Sequence, residues 1–143
     1  MAKTTAGKII KGVFVTLGII LLIGILIVGV FTVYILTGKE QTLGLSIGSA
    51  ELSAISDGVY TGEYEASRFS NRVEVTVQNH TITAITVLKP QPFMADETVA
   101  ALTERVTQQQ SLSVDAVTGA TAHSKAFLKA VENALTRPES AGQ

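Results

Sequence analysis

The chain has 143 residues, of which 46% are apolar and 16% are charged, and its formal net charge is −1. A chain of this length holds one small folded domain and a short appendage. It contains no cysteine and only two histidines, which excludes disulfide frameworks, iron–sulfur ligation and c-type haem attachment and argues against a histidine-built metal site. Any redox chemistry would therefore need an organic cofactor.

The charge distribution excludes one class of partner. From residue 39 onward, eight Lys and Arg stand against twelve Asp and Glu, and no basic cluster or basic helix interrupts this acidic part. Proteins that bind nucleic acids neutralise phosphates with clustered basic residues. We therefore expect no nucleic-acid partner.

The first predicted element is a membrane-spanning helix. Residues 13–36 form an apolar run without a charged residue, and a helix of this length reaches roughly 36 Å, enough to cross a hydrocarbon core of about 30 Å. A cleaved signal peptide is the alternative, but its apolar core is normally about 7–15 residues long. Residues 1–12 carry three lysines and no acid. The positive-inside bias therefore predicts a cytoplasmic N-terminus at the cell membrane and an extracytoplasmic C-terminal part.

Between this span and the folded domain the sequence predicts a linker. Residues 37–56 are rich in Gly and Ser, with scattered Leu and Ile, a composition typical of connecting segments. The folded domain is expected over residues 57–137, where β-branched and aromatic residues become frequent. Residues 138–143 are expected to be a disordered tail.

Three stretches rich in β-branched and aromatic residues predict strands: residues 59–66, 72–77 and 81–88. The second alternates so that all its valines lie on one face, as in a half-buried strand. Asn79 and His80 occupy the place of a two-residue hairpin turn, although glycine would be expected where His80 stands. The apolar phase of the third strand slips between Ile82 and Ile85, which predicts either a β-bulge or burial on both faces.

Two amphipathic helices are predicted in the second half of the domain. Asp96 is expected to cap the first, whose apolar residues recur at spacings of three and four until the pattern fades at residues 108–110. The second covers residues 122–137, and a proline ends it. Residues 89–94 form a loop, and residues 112–117 form a short extended piece. The expected fold class is α+β: a small antiparallel sheet of three or four strands with two packed helices, preceded by one N-terminal transmembrane helix.

The segment DAVTGAT, residues 115–121, combines features of an anion-binding site. Gly119 permits a sharp turn and a close approach of the backbone. Thr121 and Ala122 stand at the start of the second helix, where unpaired N–H groups and the helix dipole favour negative charge. From the residues alone, a phosphate site and a plain N-cap threonine after a glycine turn both remain open.

The same segment matches the flavinylation motif Asp-x-x-Ser/Thr-Gly-Ala-Thr, and in this respect the chain resembles the FMN-binding domain family. That family includes the covalent-flavin subunits of the sodium-translocating NADH:quinone reductase and of the Rnf complex, and small membrane-tethered or secreted flavoproteins. Residues 57–62 resemble its opening segment Asp-Gly-x-Tyr-x-Gly, and the hairpin, loop and helices follow its order. The resemblance extends over about residues 57–136.

The resemblance implies a role for each position of the motif. Thr121 corresponds to the acceptor that forms a phosphodiester with FMN, and a separate flavin transferase, using FAD and Mg²⁺, would make the attachment. Asp115 corresponds to the motif acid, which the transferase reads or which holds the turn. Three residues are implied to line the phosphate and the ribityl chain: Thr118, Gly119 and Ala120. Ser124 and Lys125 match polar positions that follow the motif, and Lys125 would offset phosphate charge.

Phe93 and His123 have two interpretations each. Phe93, in the loop 89–94, either packs on the flat isoalloxazine ring or fills the small core. His123 either reaches the phosphate or the ring system or, as the base rate for surface histidines favours, lies on a solvated helix face. No pattern for a nucleophile with its base and no dinucleotide fingerprint can be read, so no catalytic residue and no metal ligand is predicted.

We therefore interpret the chain as a single-pass membrane protein whose outer domain carries covalent FMN and transfers electrons. Its expected redox partners are membrane donor and acceptor proteins or a quinone pathway. Two other functions stay open: a flavin subunit of a larger oxidoreductase of the Rnf or quinone-reductase kind, and a tethered interaction module whose Thr121 is never modified. In the redox cases the cofactor carries the chemistry, so the chain is a carrier rather than a free-standing enzyme.

Overall fold

The computed structural model describes residues 2–137 and divides the chain into two units, residues 1–36 and residues 37–143. The expected disordered tail, residues 138–143, lies outside the described residues. The first unit is one helix, α1 (Ala2–Leu36), which begins before the predicted apolar run. It is long and apolar enough to cross a membrane, and nearly all of its large apolar side chains are exposed. An exposed apolar surface of this extent suits a lipid environment and not water.

The second unit contains a three-stranded antiparallel sheet with the order β1-β2-β3. The strands are β1 (Gly58–Tyr64), β2 (Asn71–Gln78) and β3 (Thr81–Lys89). The helices are α2 (Lys39–Leu43), α3 (Asp96–Gln109) and α4 (Thr121–Thr136), and short 3₁₀ turns cover Leu52–Ala54 and Ser67–Phe69. The predicted fold class is confirmed. The sheet has three strands in the part of the chain that the structure describes, because residues 112–117 form no strand.

The β2–β3 hairpin turns at Asn79 and His80, as predicted, and both residues have a positive φ, 51° and 57°. His80 is an unusual residue for this left-handed conformation. Two hydrogen bonds offset the strain: the His80 N–H donates to Asp57 Oδ1 over 3.4 Å, and His80 Nδ1 lies 2.8 Å from Ile55 O. Asp57 directly precedes β1 and therefore helps to hold the turn, which lies at the same end of the sheet because Gly58 pairs with Val77.

Strand β3 carries the predicted β-bulge. Its register with β2 shifts between Thr76 and Val77, which leaves Thr83 as an extra residue. Ile82 is 2% exposed, and Ile85 also packs against the core. The bulge thus brings two isoleucines at an odd spacing of three to the same face of the sheet.

The core lies between the sheet and α4. Strand β2 alternates as predicted, and its side chains Val73, Val75 and Val77 are fully buried. Helix α4 faces them with buried apolar residues at helical spacing: Ala126, Phe127, Ala130, Val131 and Ala134. This packing fixes the position of the α4 N-terminus relative to the sheet.

Residues 37–56 do not behave as the predicted linker but pack on the folded unit. Thr42 in α2 is fully buried, and its Oγ1 donates to Gly38 O over 2.6 Å and lies 3.1 Å from Tyr64 Oη. Five apolar residues of the segment pack against the core: Leu45, Ile47, Ala50, Leu52 and Ile55. The Gly and Ser content predicted a linker, but the apolar residues scattered through the segment are partly buried against the domain.

The starts of both long helices differ from the prediction by one residue. Asp96, expected as the N-cap of α3, is its first residue, and the cap position belongs to Ala95 without a side-chain hydrogen bond. The Asp96 carboxylate still lies in the first turn, where the helix dipole favours it. Helix α4 begins at Thr121, with Ala120 in the cap position, so the interpretation of Thr121 as a capping threonine is wrong.

Candidate functional site

The motif segment, residues 115–121, is a turn that leads directly into α4. The Ala120 N–H donates to Val117 O over 2.9 Å, and Gly119, the third residue of this turn, has a φ of +80°. A Cβ at Gly119 would meet nothing within 4 Å. The left-handed conformation, and not crowding, therefore requires glycine here.

Ser124 holds this turn from the protein interior. Its side chain is fully buried, and its Oγ accepts the N–H of Val117 over 3.1 Å. Its own N–H donates to Ala120 O over 2.8 Å. The structure therefore gives Ser124 a role in positioning the motif turn, whereas the resemblance implied a residue of the cofactor site.

Thr121 is exposed and is the first residue of α4. Within residues 7–137, its hydroxyl has no hydrogen-bond partner. The first N–H groups of a helix have no intrahelical acceptor, and the dipole gives this end a partial positive charge. An accessible, unengaged hydroxyl in such a field suits the acceptor of a phosphoryl group.

Thr121 borders a cleft of about 460 Å³, a volume within the range of about 300–1,000 Å³ that is usual for small-molecule sites. Three parts of the folded unit line it: Lys39 and Leu43 of α2, Arg68 and Phe69 of the 3₁₀ turn, and residues 119–123. Among the residues that the structure describes, both charged side chains of the lining are cations, and no carboxylate belongs to it. The cleft therefore favours an anionic ligand.

Arg68 is the residue of the cleft lining that would stabilise the negative charge of such a ligand. Its Cζ lies 4.7 Å from the centroid of the Phe69 ring, a distance at which the cation and the ring attract each other. Its Nε is shielded from solvent and has no hydrogen-bond partner among the described residues. A buried donor without an acceptor costs about 1–3 kcal/mol, and more when it is charged.

His123 lies in the wall of the cleft and not on the solvated helix face that the sequence interpretation favoured. Its ring centroid is 4.9 Å from that of Phe69. Gln91 Nε2 donates to His123 O over 3.0 Å, and His123 Nδ1 lies 2.8 Å from Gln91 Oε1. Burial, and then the positive charge of Arg68, lower the pKa of His123 below its ordinary value of 6.5, so the ring is neutral at pH 7.

Two predicted site residues lie apart from the cleft. Asp115 is exposed, and its carbonyl oxygen accepts a hydrogen bond from Arg105 Nη1 over 2.6 Å. Lys125 Nζ donates to Leu43 O over 2.6 Å and to Leu45 O over 3.1 Å. Lys125 thus ties α2 and the residues after it to α4, and its charge is directed to carbonyl groups rather than to the head of α4.

The remaining predicted residues divide between the cleft and its surroundings. Gly119 and Ala120 line the cleft, whereas Thr118 is exposed and does not. Phe93 is 69% exposed with a φ of +63°, so the interpretation of Phe93 as a core residue is wrong. It follows Gln91 by two residues, and the contacts of Gln91 with α4 hold the start of this loop beside the cleft.

Sequence reasoning missed Lys39 and Arg68. Both stand in segments without a helical or strand periodicity, where a single cation is normally a solvated surface residue. The one local signal is the aromatic residue directly after Arg68, which suits a cation–π contact. An arginine followed by an aromatic residue is too common in sequences to predict a binding site.

Comparison with known proteins agrees with the resemblance of the motif. The model of the family described as the FMN-binding domain matches residues 71–136. The match runs from the first residue of β2 to the last residue of α4 and includes the motif turn. No curated protein sequence matches the chain.

Proposed function

Since this chain belongs to the FMN-binding domain family over residues 71–136, we propose that it is a membrane-tethered electron carrier whose FMN is linked to Thr121 by a phosphodiester. One observation carries the proposal: the Thr121 hydroxyl is unengaged at the head of α4 and borders a cleft whose charged side chains are both cations. The apolar helix α1 supplies the tether. Bound FMN would supply one- and two-electron chemistry, and the protein would supply attachment and orientation.

The residues of the cleft fit a phosphodiester. The unpaired N–H groups at the start of α4 and the buried Nε of Arg68 are donors that need acceptors. Lys39 adds a second positive charge at the rim. Together they would hold the phosphate end of the cofactor close to Thr121.

We propose that a partner enzyme makes the attachment. We propose a flavin transferase that uses FAD and Mg²⁺. Thr121 Oγ forms a bond to the FMN-side phosphorus of FAD, the pyrophosphate P–O bond breaks, AMP leaves, and the hydroxyl proton passes to a base of the transferase. The exposed Asp115 is available for recognition by that enzyme.

The test compares two threonines of one motif. The full chain, produced together with a flavin transferase, should gain the mass of FMN less one water, and the flavin should remain bound after denaturation. Thr121→Ala should lose the modification, whereas Thr118→Ala, which changes an exposed hydroxyl outside the cleft, should keep it. FMN found on the Thr121→Ala protein would refute the assignment. A wild-type chain that stays unmodified would favour a tethered interaction module.

We further propose that the FMN-binding domain lies outside the cell membrane, where its electron donor and acceptor would be membrane proteins or quinones. The support is the charge asymmetry around α1: residues 1–12 carry three lysines and no acid, whereas Lys39 is followed directly by Glu40. Protease added to intact cells or right-side-out vesicles should digest the domain. Protection until lysis would place the domain in the cytoplasm and contradict the orientation.

A further inference from the structure

The contacts of Gln91 determine which nitrogen of His123 carries hydrogen. Gln91 Nε2 donates to the His123 carbonyl, which identifies the NH₂ end of the amide. Gln91 Oε1 must then be the atom that faces His123 Nδ1 at 2.8 Å. Since a carbonyl oxygen only accepts, Nδ1 carries the hydrogen. The neutral ring therefore keeps its lone pair on Nε2, and Gln91, itself 4% exposed, holds the ring in this state.

Among the described residues, the two charged side chains that line the cleft beside this ring are both positive. The 3₁₀ turn contributes Arg68, α2 contributes Lys39, and the loop before α3 contributes only the uncharged amide of Gln91. On α4 itself the nearest cation, Lys125, is bonded to carbonyl groups. An imidazole among cations is held in its neutral form, and a negative charge that enters the same cleft reverses this balance.

We propose that His123 is a positioning residue for the phosphodiester at the head of α4. Its Nε2 takes up a proton when the negative charge of the phosphate enters the cleft, and the resulting N–H donates to a phosphate oxygen. This inference rests on the proposed attachment at Thr121. The proton comes from solvent, and the Gln91 contact persists because Nδ1 donates in both protonation states. A bare lone pair would repel the phosphate, so proton uptake and anion binding support each other.

The first measurement follows both histidines of the full chain in detergent by ¹⁵N and ¹³C NMR of their rings, before and after flavin attachment. In the unmodified protein His123 should be the Nδ1–H tautomer at pH 7. After attachment its midpoint should rise by about one pH unit or more, as expected for a new opposite charge within a few ångströms. His80, which lies in the β2–β3 turn outside the cleft, is the internal control and should not shift.

Two variants separate positioning from mere packing. Gln91→Glu keeps an acceptor at Nδ1 but adds a negative charge there, so the His123 midpoint should rise even in the unmodified protein. His123→Asn removes the titrating group, so the pH dependence of the ³¹P chemical shift of the attached phosphodiester between about pH 5 and 8 should become weaker than in wild type. A ³¹P shift with the same pH profile in both proteins would overturn the proposal.

The results of these experiments distinguish a failure of this inference from a failure of the proposed function. A chain without covalent flavin in mass spectrometry would refute the attachment, and inorganic phosphate added to the unmodified chain would then still test His123. If flavin is attached but His123 titrates unchanged, or if its ring is the Nε2–H tautomer in the unmodified protein, the inference alone is wrong.

Discussion

Gly62 of β1 lies directly against Ala134 of α4. A Cβ built on Gly62 would lie 2.6 Å from Ala134 Cα and would also collide with the Ala134 nitrogen and the Ala130 oxygen. Backbone atoms of a helix interior cannot move aside separately. The absence of a side chain at Gly62 therefore sets the distance between the sheet and the helix that carries Thr121 at its head.

We expect Gly62→Ala to lower the free energy of unfolding by about 3 kcal/mol, the upper end of the usual cost of overpacking. The measurement is denaturant unfolding of the full chain in detergent, followed by tyrosine fluorescence. Gly58→Ala in the same strand is the matched control, because a Cβ there would make only ordinary contacts of 3.5 Å with the Tyr60 side chain. Equal stability of the two variants would contradict the close packing at Gly62.

Ser124→Ala should loosen the motif turn. The change leaves the Val117 N–H without its acceptor, and an unpaired buried donor costs about 1–3 kcal/mol. We also expect a smaller fraction of the chain to receive flavin from the transferase, measured by intact mass, because the turn before Thr121 loses its support. Thr136→Ala removes an exposed hydroxyl at the other end of the same helix and should change neither quantity.

Phe93→Ala should leave the stability of the flavin-free protein within about 0.5 kcal/mol of wild type, as is usual for exposed positions. Phe127→Ala, at a side chain that is 1% exposed, should cost about 3–5 kcal/mol. If Phe93 covers the isoalloxazine ring, its removal should also change the fluorescence of the attached flavin. A large loss of stability in Phe93→Ala would show that the loop packs inward.

Stability should fall at acidic pH partly through Asp57. Hydrogen bonds from the backbone N–H groups of Asn79 and then His80 lower the pKa of Asp57 below its ordinary value of 3.8. A lowered carboxyl pKa contributes stability above the unfolded value, and this contribution disappears as pH falls through the folded value. Asp57→Asn should therefore be less stable than wild type at pH 7, and the difference should shrink below about pH 4. A difference that is independent of pH would exclude this role.

Much of the sheet could be predicted because its signals are local. The alternation of Val73, Val75 and Val77 defined β2, and the slip between Ile82 and Ile85 located the bulge at Thr83. The hairpin turn was also predicted, but its stabilisation was not. Asp57 acts on that turn from more than twenty residues away, and such a distant partner leaves no mark on local periodicity.

The candidate site was predicted only where a motif marks it. Thr121, Gly119 and Ala120 lie at the head of α4 as the motif implies. Arg68 reaches the same cleft only through the packing of the 3₁₀ turn against α4. His123 stands on α4 itself, but its place in the cleft wall depends on contacts with Phe69 and Gln91. These contacts join segments that are far apart in sequence, and a single sequence does not encode them in any pattern of spacing.

Because Thr42 is buried against Tyr64, the first residue of a truncated fragment decides whether the cleft stays complete. A soluble fragment that starts at residue 57, where the composition changes, would discard Thr42 together with Lys39 and Leu43, and the cleft would lose one wall. A fragment that starts at residue 37, directly after α1, keeps all three. We expect proteolysis between residues 44 and 50 to damage the domain rather than release it intact.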